Sequence, residues 1–577
     1  MASQFISNST VTYDVGVNGV TNVTHDITLQ NTTSDFYATS YTLSLDGIQP
    51  INPTAYEGSS ALPVKVIQNN ATTSIQVDFP GAVVGKGAKR EFIINFADKT
   101  LVNKTGEIWE ITTPKLADSN SFDFYSTIIK VPNAFGNLAY VSPNPTYRNI
   151  QDSKIVLSFD KSASTKTAIT AAFGQFQVFS FKLTYHIENP LNQTATTDIA
   201  IPPDTNYQKM NYSKISPAPT KVYLDNDGNW LATFTLKPKE KVDVVATGAV
   251  QLFAGPLEFP KATSGLGDLT STNLWQTTDP KIITLAKQLK TPQQIYNYVV
   301  STLSYDYGRV APEVKRLGAL GVLSTPKSAI CTEFTDLFIA IARAAGIPAR
   351  EIEGYAYTEN PQIQPLSLVA DVLHAWPEYW DSIKQTWIPI DPTWGETSGI
   401  DYYNKLDLRH FVFVVHGSDS TKPYPAGSYK LGPNPHKDVY VTFGSLPQTR
   451  ISNLQIENKI LSELPFSDEI VQTRITNSGP VAVYDQNFQA LGKQVNIPVI
   501  LPYGYYETTI DIPYSFLGQK VPAKIEILLN GSKKSEFSTY KTYVMISNLL
   551  MLFLFIFFIV FLVYLKFHDS KAKKHTS

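Results

Sequence analysis

The stretch AICTEFTDLFIAIARAAGIPAR, residues 329–350, decides the fold of the central part of the chain. Its apolar residues recur at spacings of three and four, which predicts a helix with one buried face. Gly346 and Pro348 mark the end of that helix, because glycine favours a helix C-terminus and proline cannot continue one. Cys331 therefore lies at the predicted N-terminus. The buried stripe consists of Phe334, Leu337, Phe338, Ile341 and Ala345.

Cys331 is the only cysteine among 577 residues, so the chain forms no intrachain disulfide. A lone cysteine is either an inert core residue or a reactive thiol. The partial positive charge at a helix N-terminus favours the thiolate, which is the nucleophilic form of cysteine. The position of Cys331 therefore favours the reactive interpretation.

Two further stretches carry residues that complement a thiol. DVLHAWPEYW (371–380) and TWIPIDPTWG (386–395) each have the pattern of a short strand, and the polar residues between them predict a hairpin. The hairpin places His374 and Asp391 on neighbouring strands, where both can face the Cys331 helix. Histidine can accept the thiol proton, and aspartate can orient the imidazole. Cys331, His374 and Asp391 are therefore the candidate catalytic residues.

These motifs, together with GALGVLSTPKSAI directly before Cys331, closely resemble the core of the transglutaminase-like superfamily over roughly residues 280–400. The resemblance implies a papain-like α+β core in which Cys331 is the nucleophile, His374 the base and Asp391 the residue that orients it. Members of the superfamily include transglutaminases, thiol proteases, deamidases and inactive relatives. The resemblance therefore implies thioester chemistry but not the acyl acceptor. The flanking regions look, more loosely, like those of prokaryotic surface proteins that carry this core.

Strand patterns surround the core on both sides. Short apolar or alternating segments separated by Gly, Asn, Asp and Pro predict β-sandwich regions over 1–175, 176–260 and 439–535, the last of them Ig-like. Helical spacing begins near residue 280, so the mixed α+β core is predicted over 275–418. The chain is thus expected to be multidomain.

One local pattern recurs in the strand regions. DITLQN (26–31), LTYHIEN (183–189) and VQTRITN (471–477) are alternating strands that end in asparagine. Asparagine suits a turn because its side chain bonds the local backbone. Three copies favour at least three sandwich modules, although convergent hairpins would give the same pattern.

The C-terminal part of the chain predicts a membrane anchor. Residues 544–565 contain no charged side chain, and about 20 such residues cross a bilayer as a helix. Lysines cluster in the tail 566–577, which marks it as cytoplasmic. We therefore expect a single-pass protein of the cell membrane with its N-terminal ectodomain outside. Because MASQFISNST (1–10) has no apolar export signal, we expect a signal that is removed or that lies upstream.

Charge and motif spacing argue against several function classes. The chain has 48 basic and 50 acidic residues, which gives no basic excess for nucleic acid. Asp225, Asp227 and Gly228 resemble a calcium loop without its distal glutamate, so we expect a tight turn there. The histidines other than His374 show no zinc-ligand spacing, and we expect no metal and no cofactor. The histidines concerned are His25, His186, His410, His416, His436, His568 and His575.

The oxyanion site is less well defined by the sequence. The backbone N–H of Cys331, at a helix start, is one donor for a developing oxyanion. Tyr305 and Tyr307, in the SYDYG stretch, are further candidates. Core packing is the favoured role for either tyrosine.

The sequence therefore predicts a cell-surface enzyme that forms a thioester between Cys331 and a peptide or amide substrate. Water as acceptor gives proteolysis or deamidation, which is slightly favoured, and an amine gives a cross-link. A protein or peptide substrate is expected, with cell-wall peptide as one candidate. The alternative is a non-catalytic binding or adhesion protein in which the core is a structural module. Alkylation of Cys331 by iodoacetamide distinguishes the two.

Overall fold

The architecture comes from a computed structural model. Within the residues it describes, the strands form eight sheets, and the short helices concentrate in the middle of the chain. Residues 1–3 of the first predicted region and 575–577 of the predicted tail lie outside the described residues. The structure describes residues 4–69, 72–311, 314–366, 371, 373–404, 406–430, 436–462, 467–516, 522–539 and 541–574.

The N-terminal region is built from strands that cover an apolar core. The elements are β1 (Phe5–Val15), β2 (Thr21–Asn31), β3 (Ser40–Asp46), β4 (Ile51–Glu57), β5 (Ser60–Leu62), β6 (Val64–Asn69), β7 (Thr72–Asp78), β8 (Lys89–Asp98), β9 (Val102–Thr105), β10 (Ile108–Thr113), β11 (Phe124–Pro132), β12 (Leu138–Ser142), β13 (Tyr147–Gln151), β14 (Lys154–Asp160), α1 (Lys161–Lys166) and β15 (Ile169–Phe173). They form sheets in the orders β13-β14-β11-β1-β2-β8-β4-β5, β12-β15-β10-β9 and β3-β7-β6. Along β1 every second residue from Ser7 to Val15 is buried, as expected for a strand with one face on a core.

The next region adds two antiparallel sheets. The elements are β16 (Phe176–Glu188), β17 (Ala195–Ile201), β18 (Gln208–Ser216), β19 (Lys221–Leu224), β20 (Trp230–Leu236) and β21 (Lys241–Phe253). β18, β21 and β16 are neighbours in one sheet, and β17, β20 and β19 form the other. Their buried residues form one apolar cluster, which also includes Phe411 and Phe413 from the following core.

The mixed core contains the candidate catalytic residues. The elements are α2 (Pro280–Gln288), α3 (Pro292–Thr302), α4 (Gly318–Ser324), α5 (Cys331–Ala344), β22 (Ala349–Ala356), β23 (His374–Asp381), β24 (Thr386–Pro389), α6 (Pro392–Ser398) and β25 (His410–His416). The strands form the antiparallel sheet β24-β23-β22-β25. α5 is buried from Glu333 to Arg343, and its Phe338 ring lies 6.5 Å from that of Tyr379 on β23. The central helix therefore packs directly on the sheet.

One later strand returns to an earlier sheet. β26 (Val439–Phe443) pairs antiparallel with β16, so that Val441 lies opposite Phe181. Val439 is the predicted start of the C-terminal module, but this strand completes the order β18-β21-β16-β26 instead. The pairing joins segments about 250 residues apart, which local sequence patterns do not reveal.

The C-terminal region contains two further sheets and a long helix. The elements are β27 (Leu454–Ser462), β28 (Glu469–Asn477), β29 (Val483–Ala490), β30 (Lys493–Ile500), β31 (Tyr505–Ile512), β32 (Lys524–Leu529), β33 (Ser532–Ser538) and α7 (Lys541–Lys574). The sheet orders are β27-β28-β31 and β30-β29-β32-β33. Within α7, Met545–His568 has a mean hydropathy of 2.9 over its most apolar window, of which 6% is buried. By length and composition this helix is a candidate membrane span.

The three recurring strands each lead into a buried asparagine that fixes a loop. The Nδ2 atom of Asn31 donates to two backbone carbonyls at 3.1 and 2.9 Å, and that of Asn477 to two at 2.8 and 3.1 Å. Asn189 Nδ2 donates to three, at 2.8, 3.2 and 2.9 Å. In each case one acceptor lies four or five residues further along the chain and another on a distant segment. The repeat thus has a structural cause, because one side chain closes the turn and ties it to a distant segment. The division into sandwich modules stays a prediction.

The outer strand of the core sheet is held by side chains from the preceding region. The Gln208 amide pairs with the backbone of Val412, donating at 3.0 Å and accepting at 2.9 Å. Asn229 does the same at Val415, with distances of 2.8 and 2.7 Å. These bonds satisfy backbone groups that β22 does not reach. They fix β25, and with it His410 at its start, relative to the rest of the chain.

Candidate active site

A buried carboxylate fixes the first turn of α5. Glu333 accepts hydrogen bonds from the backbone N–H of Ile330 at 3.0 Å and of Leu317 at 2.8 Å, and Arg309 pairs with it at 3.2 Å. A glutamate that bonds the N-cap N–H from the third helical position is half of a capping box. The helix start is therefore held in place, and with it Cys331, which is fully buried.

His374 and Asp391 meet at one end of the hairpin. Nε2 of His374 lies 2.9 Å from Oδ2 of Asp391, and both residues are buried. His374 is the first residue of β23. Asp391 does not lie on a strand as expected: β24 ends at Pro389, and Asp391 caps α6 by accepting the Trp394 N–H on Oδ1 at 3.0 Å. The cap orients the carboxylate and leaves Oδ2 for the imidazole.

The charges of the pair stabilise each other despite burial. Burial lowers the pKa of His374, but the charge of Asp391 and the hydrogen bond to it raise that pKa more, to about 9, and Cys331 adds to the rise. Burial raises the pKa of Asp391, but the charge of His374 and the hydrogen bonds from His374 and His410 hold it well below its usual range. At neutral pH a protonated imidazole therefore lies between the carboxylate and the sulfur.

The second ring nitrogen of His374 is available for chemistry. Nδ1 is buried and has no nitrogen or oxygen partner in the described part of the chain. Cys331 acts electrostatically on the same imidazole. Because Nε2 is bound to Asp391, Nδ1 is the nitrogen that can exchange a proton with the sulfur.

Aromatic rings enclose the imidazole. Trp394 stacks on His374 with ring centroids 5.1 Å apart and planes at 22°, and Trp376 lies 5.9 Å away at 28°. Both indoles are buried. The rings hold the plane of the imidazole and exclude water, so the charges of the site interact strongly.

A second histidine, which the sequence analysis did not identify as part of the site, shares Asp391. Nε2 of His410 lies 3.3 Å from Oδ2 of Asp391, and its Nδ1 lies 3.0 Å from Oδ1 of Asp407. The rings of His374 and His410 lie 5.7 Å apart. Sequence reasoning considered His410 only as a zinc ligand. Its proximity to Asp391 depends on β25 lying beside β22, which strand periodicity does not determine.

Tyr305 and Tyr307 have different environments. The Tyr305 ring packs in the apolar core, but its hydroxyl is buried without a hydrogen-bond partner in the described residues. Its pKa is raised, first by burial and next by the charge of Cys331. Tyr307 is 47% exposed, and its hydroxyl donates to the carbonyl of Gln362. Core packing therefore describes the Tyr305 ring but not its hydroxyl.

A different buried cluster lies at the far end of β25. Nδ1 of His416 lies 3.0 Å from Oε2 of Glu351, and its Nε2 lies 2.8 Å from the carbonyl oxygen of Pro423. Arg316 pairs with Glu351 at 2.6 Å and with Asp336 on α5 at 2.5 Å. The arginine thus lies between two carboxylates and joins the central helix to the sheet.

Two groups of described side chains have ligand atoms within 4.8 Å of one another, close enough for a metal ion. Histidine nitrogens and carboxylate oxygens are zinc ligands. Hydrogen bonds and ion pairs account for the proximity in each group. That the chain needs no metal stays a prediction, which a chelator tests. The groups are His374, Asp391 and His410, and Glu351, Glu353 and His416.

The loop that resembles a calcium site is a turn. Asp225 accepts the backbone N–H of Asp227 at 2.9 Å and of Asn229 at 2.8 Å. The Asp227 carboxylate accepts the backbone N–H groups of Gly417 and Ser418, each at 3.1 Å. These carboxylates close the loop and tie it to the end of β25.

The middle of the chain matches a known family. Residues 277–392 match the model of the Transglutaminase-like superfamily, a range that contains all three predicted catalytic residues. A protein-glutamine gamma-glutamyltransferase of Pseudomonas aeruginosa is 31% identical over 124 residues, which are 20% of this chain and 18% of the relative. The match therefore spans less than a fifth of that relative. The chain carries a transglutaminase-like core, as its motifs predict.

Two solved structures show weaker similarity. A candidate cysteine protease from Cytophaga hutchinsonii is 16% identical, with 47% of this chain and 98% of that one covered and a TM-score of 0.30. The periplasmic domain of TgpA from Pseudomonas aeruginosa, bound to ethylmercury, is 16% identical, with 39% and 92% covered and a TM-score of 0.23.

Proposed function

We propose that the chain is a thiol acyl-transfer enzyme in which Cys331 is the nucleophile, His374 the proton carrier and Asp391 the residue that orients it. The observation that supports this most is the buried 2.9 Å contact between His374 and Asp391, with Cys331 acting on the same imidazole. The family match over 277–392 covers all three residues. A helix start, a strand start and a helix cap each supply one group.

The proposed reaction has two halves. The Cys331 thiolate attacks a substrate carbonyl carbon and forms a carbon–sulfur bond. Imidazolium His374 gives its proton to the leaving nitrogen as the carbon–nitrogen bond breaks, so an amine or ammonia departs and a thioester remains. His374 then takes a proton from water or from an amine, which attacks the thioester and releases the thiolate. Asp391 holds the imidazole with Nδ1 toward the sulfur in both halves.

We propose Tyr305 as a donor to the oxyanion that forms between these steps. Its hydroxyl is buried, lacks a partner in the described residues and is affected by the charge of Cys331. The raised pKa keeps the hydroxyl protonated, so that it can donate. The backbone N–H of Cys331, at the first position of α5, is the second proposed donor.

The reactive atoms are covered in the conformation described. Cys331, His374 and Asp391 are each at most 1% exposed. A peptide carbonyl therefore reaches the sulfur only after neighbouring residues move. The same cover would shield a thioester from bulk water until the acceptor enters.

We propose that the substrate is a protein or peptide outside the cell membrane. The name of the Pseudomonas relative describes transfer from protein glutamine. The apolar part of α7, Met545–His568, is followed by lysines, so the N-terminal domains lie outside if that end is cytoplasmic. Protease added to intact cells would then remove the ectodomain, and a protected N-terminal region would contradict this orientation.

The proposed activity is tested with the full-length chain in detergent, a glutamine-containing peptide and hydroxylamine, which converts a thioester into a hydroxamate. We expect hydroxamate from the wild type and none from Cys331→Ala. Without hydroxylamine, ammonia release indicates deamidation, peptide cleavage indicates proteolysis, and coupling to an added amine indicates cross-linking. A folded wild-type chain that gives none of these products favours the non-catalytic binding alternative.

A further inference from the structure

His410 carries a feature that simple packing does not require. Its Nε2 faces Oδ2 of Asp391 at 3.3 Å, and its Nδ1 faces Oδ1 of Asp407 at 3.0 Å. A neutral imidazole has one N–H and one lone pair, so it can donate to only one of two carboxylates. Only the doubly protonated ring satisfies both contacts. The geometry therefore favours an imidazolium at this position.

Asp407, which faces Nδ1 of His410, also accepts hydrogen bonds from other groups. Oδ1 of Asp407 also accepts the backbone N–H of Arg409 at 3.1 Å, and Oδ2 accepts the Tyr402 hydroxyl at 3.1 Å. The Arg409 guanidinium pairs with Glu110. Asp407 is thus held in place by donors on two sides, which keeps its contact with the His410 ring.

Two indole rings pack closely around the His410 ring. The His410 ring lies 4.6 Å from Trp394 and 4.9 Å from Trp376, centroid to centroid, and its side chain is 1% exposed. Burial lowers the pKa of His410, but the hydrogen bonds to Asp391 and Asp407 outweigh burial and raise it to about 9. The titratable groups that face this ring are therefore Asp391, Asp407, Tyr402 and His374.

We propose that His410 is a positioning residue of the active site, a second imidazolium that fixes the Asp391 carboxylate for His374. This inference rests on the proposed function of the Cys331 site. His410 and His374 share one oxygen of Asp391, so the carboxylate cannot rotate away from either ring. Two positive rings 5.7 Å apart also repel each other, which makes the His374 proton easier to release.

The variants His410→Gln and His410→Leu separate these two effects, and His416→Gln is the matched control. Gln keeps a donor for Asp391 but removes the charge, and Leu removes both. His416 lies on the same strand, is equally buried and pairs with Glu351, outside the site. The probe is alkylation of Cys331 by iodoacetamide in the full-length chain, measured by intact mass over a pH range that extends well above the His374 pKa of about 9.

We expect two measurable changes. In both His410 variants the step in the pH profile of the alkylation rate that reports His374 deprotonation moves up by about one to two pH units. The reason is that each variant removes a positive charge 5.7 Å from the His374 ring. At neutral pH alkylation slows by about 10- to 100-fold in His410→Leu and by no more than about threefold in His410→Gln. His410 also lines a cavity of about 520 Å³. Added imidazole is therefore expected to restore at least part of the rate in His410→Ala.

Three outcomes overturn the inference alone. Suppose that Cys331 is alkylated much faster in the wild type than in His374→Ala. If the His410 variants are then alkylated with the wild-type rate and pH profile, His410 has no role in positioning. If His416→Gln shifts the step equally, the effect is a general loss of stability. If the purified chain contains zinc and EDTA changes the rate, His410 is a metal ligand. A wild type that reacts no faster than His374→Ala overturns the proposed function itself, and this inference with it.

Discussion

The two ends of β25 carry the same kinds of side chain in two different settings. His410 at the start and His416 at the end are both buried, and the pKa of each is about 9 because carboxylates outweigh burial. His410 shares the Asp391 carboxylate with a second histidine. His416 shares Glu351 with Arg316.

The difference lies in the cation that completes each cluster. Arg316 remains protonated at any physiological pH, so the cluster around Glu351 is a fixed support between α5 and the sheet. The corresponding cation at the other end is His374, which can release its proton and has a buried Nδ1 without a nitrogen or oxygen partner in the described residues. Similar buried charges thus have a structural role where the cation that completes the cluster keeps its proton. They are suited to proton transfer where one cation titrates beside a thiol.

The largest effects are expected from the three proposed catalytic residues, which lie near the start of β25. Cys331→Ala should abolish hydroxamate formation, and His374→Ala should lower kcat by about 10⁴ or more. Asp391→Ala should lower kcat less, because Asp391 orients the base without touching substrate. In the double variant of Cys331 and His374 the two losses should not add, because the residues act as a unit. His416→Ala should leave kcat of the folded fraction within a few-fold. Circular dichroism checks folding, and wild-type activity in Cys331→Ala would show that the nucleophile is wrongly assigned.

A smaller effect is expected from the proposed oxyanion donor. Tyr305→Phe removes only the buried hydroxyl and should lower kcat by about 10- to 10³-fold with little change in KM. Tyr307→Phe is the control, since that hydroxyl is bound to Gln362 and its side chain is exposed. Equal kcat and KM values in the two variants would show that Tyr305 only packs in the core.

At the far end of β25 the expected effect is on stability and not on rate. Glu351→Gln leaves Arg316 and His416 with an uncompensated buried charge and should lower the free energy of unfolding by about 3 kcal/mol. Urea unfolding followed by tryptophan fluorescence reports it, because the buried Trp376, Trp387 and Trp394 belong to this core. Glu507→Gln, which breaks an exposed pair with Arg474, should change it by no more than about 1 kcal/mol. A loss of thiol reactivity per folded molecule in Glu351→Gln would contradict the separation of the two clusters.

A further expected effect at this end of β25 is a change in the pH dependence of stability. The pKa of His416 is raised from its ordinary value of 6.5 to about 9, so its contribution to stability is complete below pH 6.5 and is lost as pH rises through 9. His416→Gln should therefore reduce the alkaline loss of stability by up to about 1.4 kcal/mol per pH unit within that window. Urea unfolding at several pH values measures the slope. An unchanged slope would show that His416 does not gain a proton on folding.

Local sequence patterns predict the parts of the site that local structure determines. Helical spacing places Cys331 at a helix start, and strand alternation places His374 on a strand, where the structure has them. The fold is β-rich with a mixed core, as the alternation and turn residues predict. The recurring asparagines are likewise visible in the sequence, because one of the carbonyls that each binds lies only four or five residues further along the chain.

The remaining features depend on contacts between distant segments. Asp391 is a helix cap and not a strand residue, because the strand pattern in WIPI does not continue through Asp-Pro. His410 reaches Asp391 only because β25 lies beside β22, and Val439 pairs with Leu183 on β16 because an early sheet accepts a late strand. Neither period-two nor period-3.6 patterns encode such pairings.

The most direct test of the central claim is the covalent intermediate itself. The full-length chain is incubated with a glutamine-containing peptide, quenched in acid and mapped by mass spectrometry. The account predicts an acyl adduct on the peptide that contains Cys331, removed by hydroxylamine and absent in His374→Ala. Hydroxamate formation without any adduct on Cys331, or an adduct that forms equally well in His374→Ala, would contradict it.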